Sequence, residues 1–273
     1  MRVIVSLIMS MLFLLYLMYP FVMIYDRTLD EVLFWSVVGT VFGCAIFVVT
    51  PPGQALLRFT LGFRQPIGSE SQRLQPLLDG LSDKVTELSG RDLKPVLYMV
   101  DDPAPNAMAV GGHSVGVTRG LLDTFDDAEI QGILAHELGH LYYRDSRQGA
   151  AMYGAFWPTL LVHRLLSFIL PMIAPTSLFS LLLIGMFYLL LLGILWGIII
   201  ILWLWNLVIN LLSRRQEYRA DAFAAELGLR DEMIRGLEKL SVMDYGKKGL
   251  IARLQDAHPN IMSRIGRLER VNG

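Results

Sequence analysis

The sequence predicts an α+β protein: a multi-pass helical membrane chain of about four spans with a folded polar portion interleaved. Three observations carry that reading. First, 53% of the 273 residues are hydrophobic and only 18% are charged, too apolar for a water-soluble domain of this size. Second, long apolar runs occur twice before residue 52 and twice between 150 and 212, each long enough to cross a hydrocarbon core. Third, the intervening stretches hold short apolar strand patterns bounded by Gly and Pro, beside one strongly amphipathic helix pattern. The 24 basic and 25 acidic residues nearly balance, so nothing implies a nucleic-acid partner. The single cysteine, Cys44, permits neither an internal disulfide nor a cysteine-rich metal cluster.

Taken in order, Val3–Tyr25 is the first span. It is too long for a signal-peptide core and no A-x-A-like cleavage site follows, so it is expected to be a retained anchor. An acidic loop, Asp26–Glu31, leads to a second span, Val32–Thr50, stopped by Pro51-Pro52. Gly53–Phe63 mixes apolar and basic residues and is expected to lie along the membrane surface. Ser69–Ser89 is an amphipathic helix with Leu74, Leu77, Leu78, Leu81, Val85 and Leu88 on one face. Pro95–Val100 is a buried strand ended by Asp101-Asp102-Pro103; Asn106–Val110 is a second, stopped by Gly111-Gly112; Ser114–Thr118 is a third. Two glycines there permit a positive-φ turn and close backbone approach.

Met152–Ala174 is a third span, interrupted by His163-Arg164; an arginine at that depth must face protein, a wet cavity or the interface. His163 is not assigned to a metal. A helix over 178–212 would be about 50 Å long, against a core of about 30 Å. It is expected to leave the bilayer and carry its polar end into the folded polar portion. In the tail, Gly228 ends a helix and Asp231 starts another, with packing from Leu237, Leu240 and Val242-Met243 and a loop over 244–249. Arg58, Arg64, Arg144, Arg147, Arg214 and Arg215 flank the spans on one side, whereas the 26–31 loop has one arginine. The positive-inside rule therefore places both chain ends and the polar portion on the cytoplasmic side. The expected organisation is 1–52 a membrane hairpin, 53–149 a cytoplasmic segment, 150–212 a second hairpin and 213–273 a cytoplasmic helical segment.

The chemistry concentrates between Asp126 and Arg147. His136-Glu137-Leu138-Gly139-His140 is an H-E-x-x-H signature. On a helix its histidines share a face and can bind one metal ion, while Glu137 stands where a general base takes a proton from the attacking water. Asp126 and Glu129 mark the helix start, Ile130, Ile133, Leu134 and Leu141 form its inward stripe, and Arg144 and Arg147 sit toward its far end. A catalytic zinc usually takes three protein ligands and keeps one open position. Glu217 and Asp221, four residues apart, supply one carboxylate for the metal and another for the free N–H of a ligand histidine. With Arg214, Arg215 and Arg219 interleaved, a solvated charged helix is also compatible with this stretch. Topology adds a constraint: Glu217 meets the histidines only if an even number of crossings separates them, and two spans fit.

On these residues the chain resembles the M48 peptidases, most closely the HtpX-like membrane zinc proteases. Asn106-Ala107-Met108-Ala109-Val110-Gly111-Gly112 looks like that family's N-A-x-A-x-G-G stretch, Glu217–Asp221 like its E-x-x-A-D motif, and His258-Pro259 with Arg264-Ile265 like its H-P-P-x-x-x-R-I, with Asn260 in place of the second proline. The resemblance implies a cytoplasmic zincin-like (gluzincin) metalloprotease domain holding one Zn2+ per chain through His136, His140 and Glu217. Glu137 would activate water and Asp221 would orient a histidine. His258 and Arg264 would help stabilise the oxyanion. Asn106, Ala107, Ala109, Gly111 and Gly112 would bind substrate as a paired strand, with His113 at the cleft rim. It further implies a bacterial inner-membrane endopeptidase that hydrolyses membrane or misfolded polypeptides in quality control and stress response, with the lipid bilayer as its other partner. Competing readings are an intramembrane site-2-type protease, disfavoured by the charges flanking the motif, a prenyl-protein-type M48 protease with more spans, and a membrane scaffold with a structural or vestigial zinc site.

Overall fold

The computed structural model describes residues 27–172, 213–244 and 260–272, with isolated positions at 7, 8, 11, 193, 196, 197, 200 and 204. The first span, most of 178–212, the loop over 244–249 beyond Asp244, and His258 lie outside these. The chain divides into two compact units, Met1–Val48 with Ala151–Val208, and Val49–Ala150 with Ile209–Gly273.

In the first unit, helix α1 (Arg27–Val48) packs on the later part of helix α6 (Asp145–Met172). A side chain at Gly154 would stand 2.7 Å from the Cys44 carbonyl oxygen and from Val48, so the two backbones meet there. Arg27–Glu31, most of the stretch expected to be an acidic loop, is helical, and Asp26 lies outside the described residues. Among the described residues no single helix is long and apolar enough to cross a membrane; Phe34–Val48 and Pro51–Thr60 meet the criterion only as a pair.

The second unit begins with α2 (Pro51–Thr60), which Thr50 caps by accepting from the Gly53 amide. Pro51-Pro52 thus opens this helix as well as ending the previous one, since proline suits the first helical turn, where no amide is needed. A two-residue strand, β1 (Phe63–Arg64), follows, then α3 (Ser69–Ser89), β2 (Val96–Val100), β3 (Ala107–Val110), β4 (Ser114–Thr118) and a short α4 (Arg119–Thr124). The strands form one sheet in the order β1-β2-β4-β3. β2 and β4 are parallel, with Val96 opposite Ser114 and Val100 opposite Thr118; β3 runs antiparallel to β4 and is an edge. β2 is not buried throughout: Leu97 and Met99 point into the core while Val96 is exposed, the alternation of a strand with one face on the core.

Helices α5 (Asp127–Tyr142), α7 (213–226), α8 (Arg230–Asp244) and α9 (Ile261–Leu268) close the core over the sheet. Leu74, Leu78, Leu81 and Val85 of α3 meet Leu97, Met99, Val115 and Val117 of the sheet; Ile130, Leu134 and Leu138 of α5 join Phe223, Met233, Leu237 and Ile265. The expected stripe on α3 ends one turn early, because Leu88 is exposed; Val242 and Met243 are likewise exposed in the last turn of α8. Asp126 starts α5 through a complete capping box with Glu129. The helix stops at Tyr142, so Arg144 and Arg147 lie beyond it. Arg144 takes φ 61°, a left-handed residue that turns the chain into α6.

Gly132 lets α5 and α8 touch: a methyl there would lie 2.5 Å from the Met233 nitrogen and 2.7 Å from the Glu232 carbonyl carbon, neither able to yield. Gly132→Ala should therefore lower stability by about 1–3 kcal/mol, seen as a reduced Tm of detergent-solubilised protein. An unchanged Tm would contradict this packing.

Candidate metal centre

α5 presents His136, Glu137 and His140; α7 presents Glu217 and Asp221. The helices cross where both are small: a Cβ built on Gly139 would lie 3.1 Å from the Ala220 Cα and 3.3 Å from its Cβ. His136 and His140, four residues apart on α5, place their Nε2 atoms 3.2 Å apart, and that approach brings Glu217 Oε2 to 3.6 Å from the first and Oε1 to 3.4 Å from the second. A tetrahedral zinc with bonds of about 2.0–2.1 Å requires donors about 3.3 Å apart. The three side chains therefore fit a single zinc ion as they stand, and they are the metal-competent group found among the described residues.

Each donor is held from behind. His136 Nδ1 lies 2.8 Å from Asp221 Oδ1, which turns its Nε2 toward the shared point. Arg264 grips Asp221 with two bonds, Nε to Oδ2 at 2.9 Å and Nη2 to Oδ1 at 2.6 Å. All three side chains are buried. His140 Nδ1 lies 3.5 Å from Asp145 Oδ2. Glu137 Oε2 accepts the Ala109 amide of β3 at 2.7 Å. Glu137 and the edge strand of the sheet are thus in direct contact.

The electrostatics follow from burial against these carboxylates. Burial pushes the His140 imidazole down, but Asp145 and Glu217 hold it up, to about 10. Burial and Arg264 oppose charge on His136; Asp221 and Glu217 outweigh them and raise it. Burial pushes Asp221 up, and Arg264 with His136 hold it down, to about 2. The carboxylates around both imidazoles thus favour positive charge at this point, the sign a metal ion would supply.

The remaining residues singled out from the sequence fall as follows. Asn106 precedes β3 and is locked to Thr118, whose Oγ1 accepts its amide at 2.7 Å. Ala107 and Ala109 lie on the edge strand. Gly111 takes φ 66°, and its carbonyl accepts Ser146 Oγ at 2.7 Å; Gly112 adjoins the Gln54 side chain. Arg264 joins the site from α9, but two of its donors are committed to Asp221. Sequence reasoning missed Asp145, which also receives Gln216 Nε2 at 2.7 Å and Arg219 Nη2 at 2.8 and 3.0 Å. It missed the anchoring of Glu137 by a backbone amide as well, which no side-chain pattern encodes.

A histidine pair on one helix, a glutamate on another and a sheet edge alongside define an H-E-x-x-H metallopeptidase type of site. Residues 70–272 match Peptidase family M48, and the chain belongs to that family. Among curated relatives, a "Protease HtpX homolog" of Tropheryma whipplei (strain Twist) is 45% identical over 64 residues, 22% of each chain. The chain thus spans about a fifth of that relative's length. A protein of the same name from Listeria monocytogenes serovar 1/2a is 25% identical over 273 residues, 86% of each chain. The solved structure of S. mikatae Ste24p covers 97% of this chain and 67% of its own at a TM-score of 0.56 and 18% identity, a likeness of fold.

Neutral imidazoles ligate metals, so zinc entering at pH 7 must expel the proton that His140 holds up to about pH 10. Calorimetric titration of the metal-free protein with zinc should show proton release, its heat varying with the buffer's ionisation enthalpy. Affinity should rise as pH rises from 7. Buffer-independent heats would contradict the charge balance described.

Proposed function

We propose that this chain is a membrane zinc endopeptidase that cleaves membrane or misfolded polypeptides at the cytoplasmic face of a bacterial inner membrane, in protein quality control and stress response. The observation that carries the reading is the tetrahedral spacing of His136, His140 and Glu217 with Glu137 alongside. Three protein donors leave a fourth position for water or substrate, as hydrolytic sites require. Bound there, zinc would polarise the scissile carbonyl and make water acidic enough to attack at neutral pH.

Glu137 takes the proton of the attacking water and passes it to the leaving amine. The Ala109 amide fixes one of its oxygens and leaves the other free for this exchange. An extended substrate adds to the open edge of β3 by backbone hydrogen bonds to Ala107 and the Ala109 carbonyl; Asn106 and Gly111, through their own bonds to Thr118 and Ser146, frame that stretch together with Gly112. Asp221 orients His136. Arg264 holds Asp221 with two bonds and lies 3.7 Å from Glu217 through Nη1, and with His258 it would help stabilise the oxyanion.

The membrane assignment is supported by large apolar side chains facing outward along two helices, among them Val32, Trp35 and Ile46 of α1 and Phe168 and Met172 of α6, a surface that lipid would cover. The scaffold alternative lacks a fourth ligand: a closed structural site needs four, and three converge among the described residues.

Wild type and Glu137→Gln, purified in detergent, should bind zinc equally, while the variant loses cleavage of an unfolded test protein by at least a hundredfold (about the size of a general-base contribution). A chelator should silence the wild type. Cleavage surviving both the substitution and the chelator would overturn the mechanism.

A further inference from the structure

We infer that Asp145 is a second positioning residue of the metal site: it orients His140 as Asp221 orients His136, and with Ser146 it couples the metal to the substrate edge. The inference rests on the zinc reading above for its metal, and its test reads metal binding apart from cleavage.

The two ligand histidines have matching surroundings. His136 turns Nδ1 to Asp221, whose two oxygens are held by Arg264. His140 turns Nδ1 to Asp145, whose two oxygens are held by Arg219. Both carboxylates are buried, Asp145 at 7% exposure and Asp221 at 3%. A buried carboxylate beside an imidazole fixes its tautomer and raises its basicity toward a metal. The His140 contact is the looser one, at 3.5 Å.

A purely structural role for Asp145 is the competing account. The residue is the first of α6, where an acid favours the helix dipole. That role needs neither burial nor four polar contacts. Arg219 and Gln216, the side chains that grip Asp145, flank Glu217 on α7, and the Arg219 guanidinium lies over the Tyr143 ring at 4.0 Å. Asp145 therefore ties the helix of the third ligand to the turn that follows the histidines. The left-handed Arg144 turns the chain back beneath His140 and makes this reach possible.

The adjacent residue serves the other half of the site. Ser146 Oγ donates to the Gly111 carbonyl at 2.7 Å, pinning the end of β3. Asp145 thus acts on the metal side and Ser146 on the strand side, from one dipeptide at the start of α6.

The test uses the full chain in detergent, with Asp145→Ala, Asp145→Asn and Ser146→Ala. Zinc affinity is measured by chelator competition, and the visible spectrum is recorded with cobalt(II) in place of zinc. Asp145→Ala should weaken metal binding by tenfold to a hundredfold, shift the cobalt bands and lower kcat more than KM. Asp145→Asn, equal in size and still an acceptor, should recover part of the affinity; it also keeps the test valid if the alanine variant does not fold. Ser146→Ala should raise KM and leave the cobalt spectrum unchanged. Wild-type metal affinity and spectrum in both Asp145 variants would overturn the inference while leaving the protease reading intact. Failure of the wild type itself to bind either metal would overturn both.

Discussion

The structure depends on the close passage of α5 against α7 at Gly139 and Ala220. Helices ordinarily pack with axes 8–10 Å apart, set by the side chains at the crossing. Here a hydrogen atom faces a methyl group, and a Cβ added to Gly139 would press at 3.1–3.3 Å on Ala220 and Phe223. The two motifs share a spacing for this reason. In each, the small residue stands three positions after the first functional side chain and one before the second: His136, Gly139, His140 on one helix; Glu217, Ala220, Asp221 on the other. The functional side chains straddle the contact and are forced to meet. About two turns earlier on α5, Gly132 lies against the backbone of α8. The metal helix is therefore fixed by small-residue contacts at two points along its length, and donors must be placed that tightly for a preorganised site.

Charge is the second constraint. Glu137, Glu217, Asp221 and Asp145 are four buried carboxylates within a few ångströms of two imidazoles. Burying charge is tolerable only where opposite charge and hydrogen bonds accompany it. Arg264 and Arg219 supply part of the balance, and the same carboxylates raise both imidazoles toward the charged form. A dication held there would meet the same need for positive charge. Glu137 takes its orientation from the sheet through the Ala109 amide, so the edge strand and the metal centre share one hydrogen bond.

How much of this was legible in the sequence follows the range of the forces involved. The limits of Ser69–Ser89, the capping box at Asp126 and the strand Ser114–Thr118 obey local rules and were readable. The three donors were readable too, because i and i+4 spacing puts both members of each pair on one helical face. Local chemistry misled where one residue type serves two ends: Pro51-Pro52 stops one helix and starts the next, and the acidic residues after Arg27 are helical instead of looping. Leu88, Val242 and Met243 fit an apolar stripe but lie past the last buried turn, a boundary that only the packed neighbours define. The partners of Asp221 and Asp145 were not readable. Arg264 lies 43 residues from Asp221 and Arg219 lies 74 from Asp145, and nothing local selects these arginines from the other basic residues of the chain.

The central claim is that two imidazoles and one carboxylate, brought together by a glycine–alanine crossing, make an open three-donor zinc site. X-ray absorption at the zinc edge of the purified, zinc-loaded protein tests it most directly. The account predicts four light-atom donors at about 2.0–2.1 Å, with the multiple-scattering signature of two imidazoles and one exchangeable position that an added hydroxamate occupies. A sulfur donor, a third imidazole or a closed site of four protein ligands would contradict it.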